Sequence, residues 1–62
     1  MKNNLKILRD ELNLSQDSFG SKLKVSRQTI NSIENGKFDP SLPLAMKIAK
    51  FFNCKIEDIF HE

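Results

Sequence analysis

Ser26-Arg27-Gln28-Thr29-Ile30-Asn31-Ser32-Ile33-Glu34-Asn35-Gly36 is the stretch whose reading decides the fold. It opens on Ser26, a side chain suited to capping a helix N-terminus, and closes on Gly36, a favoured stop. At about 100° per residue, Ile30 and Ile33 fall on one face of that helix. Arg27, Gln28, Asn31, Ser32 and Asn35 gather on the opposite face, which carries planar amides and a guanidinium and almost no apolar bulk. Arg pairs bidentately with guanine, and Gln or Asn with adenine, in the major groove of duplex DNA. A short helix anchored by two isoleucines that offers those groups outward reads as a DNA recognition helix. Taken by itself, the segment fits a solvated polar helix equally well.

The residues before it favour the first reading. Leu14-Ser15-Gln16-Asp17-Ser18-Phe19-Gly20-Ser21-Lys22-Leu23 is also helical in pattern, with Ser15 as N-cap and Phe19 and Leu23 at i, i+4. Only Lys24-Val25 separates it from Ser26. Two short helices joined so tightly make a helix-turn-helix. Gly20 lies inside the first of them, where glycine costs roughly 1 kcal/mol relative to alanine. A missing side chain there is expected to let the second helix approach closely.

Further out, residues 4–12 place Leu5, Leu8 and Leu12 at i, i+3, i+7, and Asn13 ends that helix. Residues 36–40 form a loop with Asp39-Pro40 as a turn signal. Ser41 caps a fourth helix that tolerates Pro43 in its first turn. Leu44, Ile48 and Phe52 continue it at i, i+4, i+8, while Ala45 and Ala49 allow close packing. Asn53-Cys54-Lys55 breaks it, and residues 56–60 form a short apolar fifth helix. No strand pattern of period two appears. The expected fold is all-α, a compact five-helix bundle built around the helix-turn-helix and spanning residues 1–62 as one domain.

Sixty-two residues hold one small core, and 39% hydrophobic content makes it a marginal one. One Cys and one His supply neither a disulfide framework nor a metal cluster, so no cofactor or metal is expected and oligomerisation is a natural source of stability. No apolar run approaches the ~20 residues of a membrane span, and no leader segment is read at the N-terminus. A lone Cys54 fits a reducing compartment, which points to the cytoplasm. A formal net charge of +2 is a weak basic bias. Its distribution says more: Lys22, Lys24, Arg27 and Lys37 lie in or beside the reading unit, and Glu57, Asp58 and Glu62 are expected at the far end. There is no nucleophile–base set, phosphate-cradling glycine loop or convergent carboxylate pair, so enzyme chemistry has little support.

Leu14-Ser15-Gln16, Val25-Ser26-Arg27-Gln28-Thr29-Ile30, Ile33-Glu34-Asn35-Gly36-Lys37 and Pro40-Ser41-Leu42 together resemble the Cro/C1-type helix-turn-helix family, also called the XRE family. The resemblance runs from about Leu5 to Phe60 and is closest to short stand-alone regulators. It implies a lambda-repressor-like bundle. It implies base contacts at the positions of Arg27, Gln28, Asn31 and Ser32, with phosphate the alternative for Arg27. Thr29, by its place on the helix, lies at the edge of that face, where its methyl can meet a thymine methyl or the residue simply supports the helix. The resemblance implies phosphate contacts from Gln16, at the start of the second helix, and from Asn35 and Lys37 after the recognition helix, with a solvated loop lysine the alternative for Lys37. It also implies a structural ion pair between Arg9 and Glu34, which explains a carboxylate placed beside DNA. Two positions depart from the pattern. Lys24 stands where glycine is common in the turn, and Ser18 where an acidic residue often completes a capping box.

The function these readings imply is a homodimeric regulator, a repressor by occupancy, bound to a pseudo-palindromic duplex operator. Phe51 and Phe60 are expected in its two-fold interface, because one small core is hard pressed to enclose every ring; Phe60 capping the monomer core is the competing expectation. The alternative function is an antitoxin or other protein-interaction module on the same fold. His61 and Cys54 are read as a solvated and a packed side chain.

Overall fold

The computed structural model describes residues 1–62. Its elements are β1 (Lys2–Asn3), α1 (Leu5–Glu11), α2 (Gln16–Leu23), α3 (Arg27–Glu34), α4 (Leu42–Phe52), α5 (Ile56–Ile59) and β2 (Phe60–His61). Three serines start three of the helices. Ser15 Oγ accepts from the Ser18 N–H at 3.0 Å, Ser26 Oγ from the Thr29 N–H at 3.1 Å and Ser41 Oγ from the Leu44 N–H at 3.3 Å. Each bond satisfies one of the amides that a first turn leaves without a partner. Pro43 sits in the first turn of α4, as expected.

The first four helices also stop alike. Asn13, Lys24, Gly36 and Asn53 take left-handed backbone conformations, with φ of 56°, 62°, 74° and 55°. After each, the next N–H reaches back five residues: Leu14 to the Arg9 carbonyl at 3.2 Å, Val25 to Gly20 at 2.9 Å, Lys37 to Ser32 at 2.9 Å and Cys54 to Ala49 at 3.0 Å. This pattern terminates a helix while satisfying its last carbonyls. Gly and Asn take the left-handed region at least cost, so Lys24 is the odd member.

Ten residues form the core: Leu5 from α1, Phe19 and Leu23 from α2, Ile30 and Ile33 from α3, Ala45, Ile48 and Ala49 from α4, and Ile59 with Phe60 at the C-terminal end. Leu8, Leu44 and Phe52 pack against it half-buried. Gly20 does what its position predicts. A Cβ there would stand 2.7 Å from the Val25 carbonyl oxygen and 3.3 Å from that of Ser26, so the turn into α3 crosses α2 where only glycine fits.

Four expectations need correction. Leu12 does not continue the buried stripe of α1: the helix ends at Glu11, and Leu12 is exposed. Arg9, four residues after Leu5, takes the inward place instead. The fifth helix ends at Ile59, and Phe60 is extended. The chain ends then pair: β1 and β2 form an antiparallel ladder with Lys2 opposite His61 and Asn3 opposite Phe60. Two-residue strands are too short to leave an alternating signature, so the otherwise helical domain carries a small sheet that no sequence period announces. Finally, Glu62 does not lie at the far end, because β2 brings it into a cleft shared with Asn35 and Gly36.

Candidate nucleic-acid interface

The inward side of α3 fixes where its outward side points. Ile30 and Ile33 are fully buried. Next to them, Glu34 keeps 3% of its side chain exposed and Arg9 keeps 8%. Arg9 Nε donates to Glu34 Oε2 at 2.7 Å, and Arg9 Nη2 donates to Oε1 at 3.1 Å, a bidentate pair. Arg9 Nη1 donates to the Leu14 carbonyl at 2.7 Å. The Glu34 hydrogen bond raises the Arg9 guanidinium above its ordinary value, against the opposing effect of burial. The pair ties α1, the start of α2 and the end of α3 together.

Gln16 is half-buried at the first position of α2. Its Nε2 donates to Glu34 Oε1 at 3.1 Å, and its Oε1 lies 3.4 Å from Asn31 Nδ2. Asn35 Nδ2 donates to Asn31 Oδ1 at 3.1 Å. A chain of polar side chains therefore runs from the buried carboxylate to the surface. The resemblance assigns Gln16 to phosphate. The structure engages one of its two amide hydrogens internally and leaves the other.

On the outward side, Arg27, Gln28 and Asn31 are exposed, and Thr29 and Ser32 are half-buried. The hydroxyls of Thr29 and Ser26 lie 2.9 Å apart, so Thr29 steadies the cap and its methyl is what remains to offer. Arg27 and Gln28 occupy the first turn of α3, the part of a recognition helix that meets base edges. Asn35 and Lys37 are exposed just beyond its end. The Lys37 and Phe38 N–H groups both donate to the Ser32 carbonyl, at 2.9 and 3.2 Å, and Asn3 Nδ2 donates to the Ile33 carbonyl at 2.9 Å. The loop leaving α3 is thus pinned to the helix, and the last turn of the helix to the N-terminal strand. The N-terminal ammonium adds an ion pair with Asp39 at 3.2 Å.

Phe38 is the functional candidate that the sequence reading passes over. It is 48% exposed beside Gln28 and Ser32. Its only sequence signal is an aromatic set in a polar loop. The two rings expected at an interface part company. Phe60 is buried in the monomer core, so the competing expectation holds for it. Phe51 keeps 37% of its surface exposed, with the remainder set against Phe19 and Phe52 at centroid distances of 5.4 and 5.1 Å.

Two short helices at a tight turn, the second rigidly backed and polar outward, define a helix-turn-helix domain. Residues 5–59 match the helix-turn-helix family, and the chain belongs to it. That family is one of helix-turn-helix domains and not of enzymes. The chain is 65% identical over 60 residues to an uncharacterised HTH-type transcriptional regulator of Methanocaldococcus jannaschii, covering 97% of this chain and 91% of the relative. It is 48% identical to the regulator YgzD of Bacillus subtilis, with the same coverage, and 47% identical to a regulator of Archaeoglobus fulgidus, covering 97% and 84%. No helix is long and apolar enough to cross a membrane.

Proposed function

We propose that this protein binds duplex DNA sequence-specifically as a homodimeric transcriptional regulator, a repressor acting by occupancy in the cytoplasm, with residues 1–62 as its single domain. The observation that carries the reading is the exposed first turn of α3 on a helix whose far end is held by the bidentate Arg9–Glu34 pair. Arg27, Gln28, Asn31 and Ser32 supply base contacts, with the Thr29 methyl beside them, and Gln16, Asn35 and Lys37 supply phosphate contacts. Related regulators by name and identity support the same reading.

A dimer places two such helices in successive major grooves, with half-site centres roughly 34 Å apart. We assign its interface to α4 and α5. Leu42, Ala45, Met46 and Ala49 share one face of α4 at i, i+3, i+4, i+7, and Leu42 and Met46 are 66% and 57% exposed. Half-buried Ile56 of α5 adjoins them, and Pro40 links this face to the loop leaving α3. Phe51, on the opposite flank with Leu12, is the rival centre. Sedimentation of Met46→Glu and Phe51→Glu separates them: the variant that becomes a folded monomer names the face, and two dimers place it elsewhere.

Selection of bound duplexes from a random library tests the reading as a whole. An enriched, pseudo-palindromic sequence is expected, with affinity falling by about 0.9 log units per log unit of salt for each phosphate contact. Equal binding of the enriched and scrambled duplexes at physiological salt would exclude the regulator. A stable heterologous protein complex without DNA selectivity would favour the antitoxin alternative.

A further inference from the structure

Of the five phenylalanines, four lie in or against the core, and Phe38 alone stands beside the recognition helix. Its ring borders a notch of about 250 Å³ whose other walls are Ser26, Gln28, Thr29 and Ser32. Phe38 is the only apolar side chain in that wall. Gln28 and Ser32 are one turn apart on the outward face of α3, so the notch opens between two side chains assigned to bases. The backbone that carries the ring is held there. The Phe38 N–H donates to the Ser32 carbonyl at 3.2 Å, and Gly36, with φ of 74°, makes the reversal that returns the chain along α3. A half-exposed ring on a polar face leaves apolar surface in water until something apolar covers it.

The occupant must be apolar where it meets Phe38 and hydrogen-bonding where it meets Gln28 and Ser32. A thymine edge has both properties: its C5-methyl is the one apolar group that the major groove presents, and O4 beside it accepts a hydrogen bond. We propose that the notch between Phe38 and α3 takes the C5-methyl of an operator thymine, making Phe38 a specificity-determining residue. This rests on the regulator reading above. The Gln28 amide or the Ser32 hydroxyl donates to O4, and the ring covers the methyl.

The test uses the full chain and the operator returned by the selection. Each thymine is replaced in turn by deoxyuridine, which keeps O4 and loses only the methyl. At one position of each half-site, affinity of the unaltered protein is expected to fall about three- to fivefold. Phe38→Ala is expected to bind thymine and deoxyuridine alike at that position. Phe38→Leu keeps an apolar side chain and is expected to retain part of the discrimination, which separates recognition from any effect on folding. If deoxyuridine costs the unaltered protein and Phe38→Ala the same everywhere, the methyl is read by another residue and the proposal fails. If Phe38→Ala weakens operator and unrelated duplex equally, the ring lies on the sugar–phosphate backbone, and the proposal fails while the regulator reading stands. A selection that returns no sequence overturns the regulator reading, and this inference with it.

Discussion

The two faces of α3 belong to one eight-residue helix and are built by opposite rules. The inward face buries Ile30 and Ile33 and gives Glu34 three side-chain donor contacts, two from Arg9 and one from Gln16. The outward face leaves Arg27 and Gln28 exposed, without hydrogen bonds between their side chains and the rest of the protein. Side chains that read a base must be free, and the helix that carries them must not be. The difference teaches where substitutions are expected to act: inside, on stability; outside, on binding, with the fold left intact.

The strongest challenge to this division is Arg9→Ala. It leaves a Glu34 carboxylate with 3% of its side chain exposed and Gln16 as its remaining side-chain donor, so a loss of about 3–5 kcal/mol in chemical denaturation is expected. Against a total of roughly 5–15 kcal/mol for a native domain, that is a large share. Replacing both partners by apolar residues of similar volume should recover much of it, because no buried charge is then left alone. A negligible loss on Arg9→Ala would mean that the pair does not support α3.

The outward face supplies the next effect. Gln28→Ala is expected to weaken operator binding by roughly 1–3 kcal/mol and to relax preference at one base pair, with the thermal midpoint unchanged. Lys37→Ala is expected to weaken all sequences alike and to reduce the salt slope by about one unit. A Gln28→Ala loss that is uniform across sequences moves Gln28 into the backbone-contact class.

A smaller effect with the opposite sign is expected in the turn between α2 and α3. Lys24 holds a left-handed conformation that glycine adopts without strain, so Lys24→Gly should add up to about 1 kcal/mol of stability. Any loss of DNA affinity in that variant then reports on the lysine's charge and not on the fold. Unchanged or lower stability would show that the left-handed turn is not a strained one.

The smallest effect contrasts a surface ion pair with the buried one. Lys6 Nζ lies 3.0 Å from Asp10 Oδ2, with both side chains exposed. The Lys6 hydrogen bond holds the Asp10 carboxyl below its ordinary value, with the Lys6 and Arg9 charges adding to it. A depressed carboxylate contributes stability above its unfolded value, near pH ~4, and loses that contribution as pH falls through the folded value. Lys6→Ala should therefore lower the thermal midpoint slightly at neutral pH, and the difference should vanish in strong acid. A gap that persists in acid assigns the effect to lost helix packing.

Much of the candidate site was legible because its signals are short. The serine caps at Ser15, Ser26 and Ser41 act on an amide three residues away, and Gly20 marks a close crossing by lacking a side chain. Ile30 and Ile33 set the inward face by spacing alone. The Arg9–Glu34 pair spans 25 residues and reached the sequence reading only through the family resemblance. The bond from Gln16 to Glu34 had no local sign, because its partner is 18 residues on. Phe38 was passed over because an aromatic in a loop shows its neighbours only after the chain has turned back along α3.

By itself, then, the sequence determined the helices, their caps, the tight turn and the polar outward face of α3, all of which depend on residues within a turn or two of one another. Tertiary structure alone decided the pairing of Lys2–Asn3 with Phe60–His61, the burial of Phe60, the exposure of Leu12 and the return of Glu62 beside Asn35. The pairing, the burial of Phe60 and the return of Glu62 bring together groups far apart in the chain, and periodicity carries no information about such meetings. Leu12 and Phe60 make the point together. Both are apolar residues at the end of an apolar pattern, and the two take opposite fates. Leu12 falls just past the last residue of α1, whereas Phe60 is carried by its strand register onto the core beside Asn3.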